Sequence, residues 1–190
     1  MRSRALATRV VKNANSVWRR FGWVLAAVLL LTPLSGCREG EPKAETRAAP
    51  KTVADWFEIK VGPKTVRMQL AVREPEMMRG LMERRDLGAD EGMLFVYAKP
   101  QQMSFWMRNT PTPLDIGFFN RHGMLEEIYP LHPYDETPVR SRSTLMQFAL
   151  EMNQGWYRAN GVRPGMEMDM AALKRALKER GFEARDFGIE

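Results

Sequence analysis

The chain has a single cysteine, Cys37, among its 190 residues, and this scarcity limits both how it is stabilised and what chemistry it can perform. The part after Cys37 can form no internal disulfide and has neither a cysteine nucleophile nor a cysteine metal cluster. Serine is also sparse there, with only Ser104, Ser141 and Ser143, which weakens a serine-hydrolase hypothesis. The sequence contains no nucleophile elbow, phosphate loop, dinucleotide fingerprint or His-Glu-x-x-His motif. Stability must therefore come from a hydrophobic core.

Acidic residues are missing from positions 1–36, which carry six basic side chains. This segment accounts for the whole formal net charge of +6, because the remaining residues carry 23 basic and 23 acidic side chains. A nucleic-acid-binding domain usually carries a basic patch or stripe. The charge distribution therefore argues against a nucleic-acid partner.

A short apolar run, residues 21–34, follows the basic pair Arg19-Arg20. Its 14 residues are too few for a membrane-spanning helix, which needs about 20 apolar residues, but suit the apolar part of a signal peptide, about 7–15 residues long. Pro33 interrupts the run near its end. We therefore predict that residues 1–36 are a signal peptide. The basic pair alone does not indicate twin-arginine export.

The stretch Leu34-Ser35-Gly36-Cys37 resembles the lipobox of bacterial lipoproteins. The resemblance implies cleavage before Cys37 and acylation of Cys37, so the membrane is the first predicted partner. Lipoproteins that stay in the inner membrane usually carry aspartate at the position of Arg38. The resemblance therefore implies that the protein is anchored in the outer membrane and faces the periplasm, if the host has an outer membrane. The alternative is a buried N-terminal helix with an incidental free thiol.

Three regions follow the predicted signal peptide. Residues 38–52 contain no large apolar side chain, which is typical of a disordered tether. With Cys37 they form a predicted tether over 37–52, with a reach of about 20 Å. A β-rich domain is predicted over 53–168. A C-terminal helical extension is predicted over 169–190. Its helix is capped by Asp169 and ends at Gly181.

The domain pattern is mainly that of short strands, most clearly at Thr65–Val72, where polar and apolar residues alternate. Short helices are predicted over 75–81 and 155–160, and a long surface loop over 130–143. The other predicted strands are Trp56–Val61, Gly92–Tyr97, Ser104–Met107, Leu114–Phe119, Met124–Tyr129, Gln147–Met152 and Met166–Met168.

Four motifs in this region occur together and in order: Arg79-Gly80-Leu81-Met82, Glu91-Gly92-Met93-Leu94-Phe95, Ser104-Phe105-Trp106-Met107-Arg108-Asn109-Thr110 and Pro113-Leu114-Asp115-Ile116. With Ala149-Leu150-Glu151 and Gly155-Trp156, they resemble the bacterial and archaeal family called domain of unknown function 192. The resemblance covers Trp56 to Met168. It implies a compact, mostly antiparallel β-sandwich or barrel-like domain with a few short helices, and no established activity.

A dense polar group in an apolar setting supplies the candidate ligand-binding residues, which are Trp106, Arg108, Asn109, Asp115, Arg79 and Glu151. Charged groups in one cleft could hold an anionic or sugar ligand, and Trp106 and Trp156 could stack on a carbohydrate. The alternative is structural: Asp115 ties down the Asn109–Thr110 turn, and Arg79 and Glu151 form a buried pair. No catalytic residue, metal ligand or cofactor is assigned.

Three hypotheses for the function remain open. The first is a lipid-anchored binding or accessory module with an envelope protein or a carbohydrate as its partner. The second is a cell-envelope hydrolase that uses Asp115 with Glu91 or Glu151. The third is a metal-handling protein, because thioethers bind Cu(I), although methionine also fills cores. Its candidate residues are Met103, Met107, His122, Met124, Met166, Met168 and Met170.

Overall fold

The structure, a computed structural model, describes residues 49–189. The predicted signal peptide, Cys37 and most of the predicted tether lie outside the described residues. Within the described part there are eight strands, three α-helices and one 3-10 helix. They are β1 Phe57–Val61, β2 Lys64–Ala71, α1 Glu74–Arg79, β3 Glu91–Gln101, β4 Ser104–Phe105, β5 Leu114–Asn120, β6 Leu125–Leu131, β7 Val139–Arg140, β8 Met146–Asn153, α2 Trp156–Ala159, α3 Met170–Glu179 and the 3-10 helix Ala184–Phe187.

The main sheet has six strands in the order β1-β2-β3-β8-β5-β6, and the prediction of a mainly β domain is confirmed. All its neighbours are antiparallel except β2 and β3, which are parallel. The sheet is therefore mixed and open, with β1 and β6 at its edges. A parallel pair needs a long connection between its strands, and residues 72–90, which include α1, provide it.

The prediction of one long loop over 130–143 is wrong at two places, because β6 extends to Leu131 and β7 occupies Val139–Arg140. β6 continues to Leu131 through Pro130, which an edge strand tolerates because one side of it needs no ladder hydrogen bonds. β7 pairs with β4 in a separate two-stranded sheet. The segment after β7 is held by the buried Glu127 carboxylate, which accepts the backbone N–H groups of Arg142 and Ser143.

Alternate residues of the sheet point to opposite faces and build two hydrophobic cores. The helix-side core lies between the sheet and helices α2 and α3, and contains Leu94, Phe148 and Leu150. The cleft-side core lies on the face that carries β4, and contains buried residues of six strands. These include Met93, Phe95, Phe105, Ile116, Phe118 and Ala149.

Helix α3 belongs to the helix-side core, through buried Leu173 and Leu177. The predicted cap is confirmed, since the Asp169 carboxylate accepts the N–H of Ala172 at 2.9 Å. Near the start of the described chain, the N–H of Lys51 donates to the carbonyl of Glu179 at 2.8 Å, so this end of the chain is joined to the end of α3. No helix within residues 49–189 is both long enough and apolar enough to cross a bilayer.

Candidate functional site

A cleft of about 120 Å³ opens on the cleft-side face of the main sheet. One wall is the segment that ends α1 and turns through Leu81, and the other contains Phe105 of β4 and Trp106, which follows β4. Phe95 and Tyr97 from β3 and Glu151 from β8 also line it. We call it the Glu151 cleft, because Glu151 contributes its only buried charged side chain within the part of the chain described.

The strand register explains why a glutamate lies in a hydrophobic core. β8 runs between β3 and β5, and Glu151 stands opposite Met93 on one side and Ile116 on the other. Both neighbours belong to the cleft-side core, so Glu151 points into the same apolar layer. Only 5% of its surface is exposed.

No hydrogen bond or ion pair joins the Glu151 carboxyl group to another group of residues 49–189, and burial is the one cause that shifts its pKa. Its oxygens are not among the fully enclosed atoms that lack a partner, so they reach the cleft. Burial disfavours the charged form and raises the pKa of Glu151 to about 8. At pH 7 the group is therefore mostly the neutral acid. The pKa of Tyr97 is also raised, first by its own burial and then by the charge of Glu151. The charge of Glu151 thus acts on a second ionisable group in the same small cleft.

Arg79 does not neutralise Glu151, so the proposed buried pair of these residues is not formed. Arg79 lines the cleft, but its side chain is 69% exposed and pairs with Glu83 at 3.3 Å. The charge of Arg79 is consequently directed toward solvent. An exposed pair of this kind contributes little to stability.

Trp106, Arg108 and Asn109 lie together on the turn that follows β4, but only Trp106 lines the cleft. The Trp106 ring is 40% exposed, and the Arg108 guanidinium lies 5.7 Å from its centroid. Asn109 has a φ of 52°, in the left-handed region that asparagine tolerates better than most residues. Its carbonyl accepts the N–H of Glu83 at 2.8 Å. Asn109 therefore holds the two cleft walls together.

Asp115 lies on the opposite face of the sheet from Glu151. On β5, Asp115 stands opposite Met152, whereas the next residue, Ile116, stands opposite Glu151. Its carboxylate accepts the N–H of Gly155 at 2.7 Å, and does not hold the Asn109–Thr110 turn as hypothesised. Asp115 thus orders the start of α2.

This arrangement excludes the two-carboxylate hydrolase in both proposed forms. The sheet itself separates Asp115 from Glu151. Glu91 precedes Gly92, which shares its partner Met152 with Asp115, so Glu91 also lies on the opposite face from Asp115. Its carboxylate accepts from the Arg67 guanidinium at 2.6 Å and from the N–H of Gly88. Of the two tryptophans proposed to stack on a carbohydrate, only Trp106 is accessible. Trp156 is 5% exposed, and its indole N–H donates to Asp90.

The residues of the metal-handling hypothesis are dispersed. Met103 and Met107 are buried in the cleft-side core. His122 and Met170 line a different cavity together with Arg121, a cation. Within residues 49–189 no three or more His, Cys, Asp or Glu side chains are grouped to hold a metal ion.

Sequence reasoning identified Trp106, Arg79 and Glu151 but missed Tyr97 as a cleft residue. A signal was present, because Met93, Phe95 and Tyr97 alternate along one strand and so share one face. The sequence separation between β3 and β8 gave no sign that these two strands are neighbours in the sheet.

The profile of the DUF192 family, described as "Uncharacterized ACR", matches residues 57–170. A crystallised protein of unknown function from Novosphingobium aromaticivorans is 33% identical over 68% of this chain and 99% of its own, with a TM-score of 0.58. A Sinorhizobium meliloti protein, named as a proposed transcription regulator, is 29% identical over 60% of this chain and 93% of its own, also with a TM-score of 0.58. No curated protein matches the chain. The chain therefore belongs to the DUF192 family, the domain of unknown function 192.

Proposed function

We propose that this protein is an exported, lipid-anchored module of the cell envelope that binds a small ligand in the Glu151 cleft. The observation that supports binding is the buried Glu151 carboxyl group, which has no partner of its own and borders an open cleft. A buried polar group without a partner costs free energy, so its occurrence at a cleft points to use by a ligand. Export and anchoring are supported by residues 1–37 of the sequence.

The lining of the cleft is suited to small-molecule binding. Ligand sites are usually concave and mostly apolar, with a few polar groups that fix orientation. Here Leu81, Phe95 and Phe105 supply apolar surface, and Glu151 and Tyr97 supply polar groups. The aromatic ring of Trp106 is accessible at the cleft wall. A neutral sugar and a small organic ion both remain candidate ligands on these grounds.

An enzyme is the second candidate, and the pKa of Glu151 favours it. A carboxyl group that titrates near pH 8 can give or take a proton at neutral pH. Such an enzyme would rely on Glu151 as its acid or base, because no second carboxylate lines the cleft within the described residues. Binding is the simpler proposal, since it requires only the groups already in place.

We propose no nucleic-acid partner, although one structural relative is named as a proposed transcription regulator. The basic and acidic side chains after residue 36 are equal in number. Nucleic-acid binding depends largely on basic groups that neutralise phosphates.

Binding is tested by the indole N–H resonance of Trp106 in the full-length protein in detergent. Methyl glycosides, short carboxylates, alcohols and alkylamines are added separately, and at least one class should shift this resonance. The resonance is assigned by its loss in Trp106→Phe, and those of Trp56 and Trp156 serve as internal controls. Ser104→Phe, which adds a ring at the cleft lining, should suppress the shift. The binding proposal is wrong if no class shifts the Trp106 resonance selectively.

The anchor is tested by Cys37→Ser. We expect this variant to remain an uncleaved precursor and to incorporate no fatty acid, because both steps require the cysteine thiol. Metabolic labelling with a fatty acid and fractionation of membranes provide the measurement. Equal labelling of the variant and the wild type would contradict the anchor.

A further inference from the structure

We propose that the ligand of the Glu151 cleft is an organic cation, specifically a small compound with an ammonium group on an apolar stem. This inference rests on the proposed binding function of the same cleft. It is carried by an uncompensated buried carboxyl group, by the aromatic rings around it, and by the lack of any other inward-facing charge among the described cleft residues.

The first argument concerns charge. Glu151 lies in an apolar layer between Met93 and Ile116, with no donor or cation beside it in the described chain. An ionised carboxylate in such surroundings is stable only when it is paired. A cationic ligand would provide that partner and so favour the ionised form of Glu151, whereas an anionic ligand would disfavour the ionised form. A neutral ligand would leave the ionised form uncompensated.

The second argument concerns the aromatic lining. Phe95 and Phe105 pack edge to face with their centroids 4.9 Å apart, and Tyr97 and Trp106 also line the cleft. The faces of aromatic rings attract cations, and aromatic cages are a recurrent way of binding ammonium groups. The Arg108 guanidinium already lies 5.7 Å from the Trp106 centroid, so a cationic ligand at this ring would have to approach its other face.

The third argument concerns the stem. Met77, Leu81 and Phe105 give the cleft apolar surface beside the carboxyl group. A volume of about 120 Å³ suits a compound of a few carbon atoms rather than a long chain or a sugar polymer. An alkylammonium ion places its charge on Glu151 and its carbon atoms on these side chains. A sugar would instead need several hydrogen-bonding groups along the walls.

The other ionisable groups of the cleft do not reverse this preference. Arg79 is exposed and paired with Glu83, so solvent screens its charge. Tyr97 stays protonated near neutral pH, because its burial and the charge of Glu151 raise its pKa. The neighbours of Glu151 on β3 and β5, Met93 and Ile116, carry no charge. A cation bound beside Glu151 would favour the ionised form of its carboxyl group, and no other charge inside the described cleft would oppose that pairing.

The test compares n-butylammonium with n-butanol, which has a similar shape and no charge, by calorimetric titration of the full-length protein in detergent. At pH 8.5 we expect n-butylammonium to bind about tenfold or more tightly than n-butanol. Its affinity should fall by about tenfold or more at pH 6.0, where Glu151 is protonated and the amine is still charged. Glu151→Gln keeps the side-chain shape and should abolish the preference at both pH values.

Two further variants and the Trp106 indole resonance distinguish the cation proposal from the more general proposal of ligand binding. Trp106→Ala, at an exposed position, should weaken n-butylammonium binding, while Arg79→Gln should leave it unchanged or strengthen it. If n-butanol binds as tightly as n-butylammonium and both shift the Trp106 resonance, the cation proposal is wrong and the binding function stands. If no class of compound in the earlier set shifts that resonance, both proposals are wrong.

Discussion

Glu151→Gln is expected to raise the free energy of unfolding at pH 8 by roughly 2–4 kcal/mol. Glu151 is 5% exposed and has no partner in the described chain, and burial raises its pKa to about 8 from the usual 4.5. Glutamine has nearly the same shape and no charge to bury. A substitution that stabilises a protein is unusual at a buried position, and it is typical of sites kept for function.

The pH dependence of this effect has a definite sign. The folded protein retains the Glu151 proton up to about pH 8, whereas the unfolded chain releases it near pH 4.5. The wild type therefore has its full stability from this group below about pH 4.5 and loses it as the pH rises to about 8. Glu151→Gln removes that loss, so the stability difference between the two proteins should widen across this interval.

Urea unfolding of both proteins at pH 5, 6.5 and 8 provides the measurement. Glu91→Gln is the matched control, because it removes a carboxylate that already pairs with Arg67, and it should not stabilise the protein. A constant difference between Glu151→Gln and wild type at all three pH values would contradict the raised pKa. A loss of stability at pH 8 would show that Glu151 has a partner in solution.

Glu76→Gln is expected to lower the free energy of unfolding by about 3–5 kcal/mol. The Arg180 side chain is completely buried, and its Nη2 donates to both Glu76 carboxylate oxygens at 2.7 Å. Removing one partner of a buried pair leaves the other charge uncompensated. The Arg180 Nε already has no hydrogen-bond partner, so little else in the described structure can compensate the guanidinium.

Glu76 also has a role in the backbone, which adds to the expected loss. Its carboxylate accepts the N–H groups of Val72 and Arg73 at the start of α1. Burial acts to raise the pKa of Glu76, but the bonds from these N–H groups and from Arg180 hold it below its usual value. The stability from this group is therefore present at neutral pH and is lost as the pH falls through that lowered pKa.

Denaturant unfolding at pH 7 measures the effect of Glu76→Gln. Glu83→Gln is the control, since it breaks the exposed Arg79–Glu83 pair and should cost at most about 1 kcal/mol. Arg180→Met with Glu76→Gln removes both charges and should be less destabilising than Glu76→Gln alone. Equal losses for the two single variants Glu76→Gln and Glu83→Gln would contradict the importance of the buried pair.

The sequence by itself determined the elements whose signal is local. Alternation along Thr65–Val72 predicted β2, although burial alternates only in the first half of the strand and both faces are buried from Met68 to Ala71. Asp169 predicted the start of α3, because a cap bonds to groups only three residues away. The ordered motifs predicted the family. Export and lipidation likewise depend on a linear pattern, residues 1–37, and they stay predictions.

Only the tertiary structure decided which of these elements are neighbours. Asp115 and Glu151 belong to one predicted polar group, yet the β5–β8 register puts them on opposite faces of the sheet, since a shift of one residue reverses the face. Arg180 directly follows α3, and its partner Glu76 lies more than 100 residues earlier. Such pairings depend on strand order and helix docking, which no local spacing encodes. The absence of a partner for Glu151 in the described chain, on which the proposed function rests, likewise depends on which strands lie beside β8, and the local sequence does not specify them.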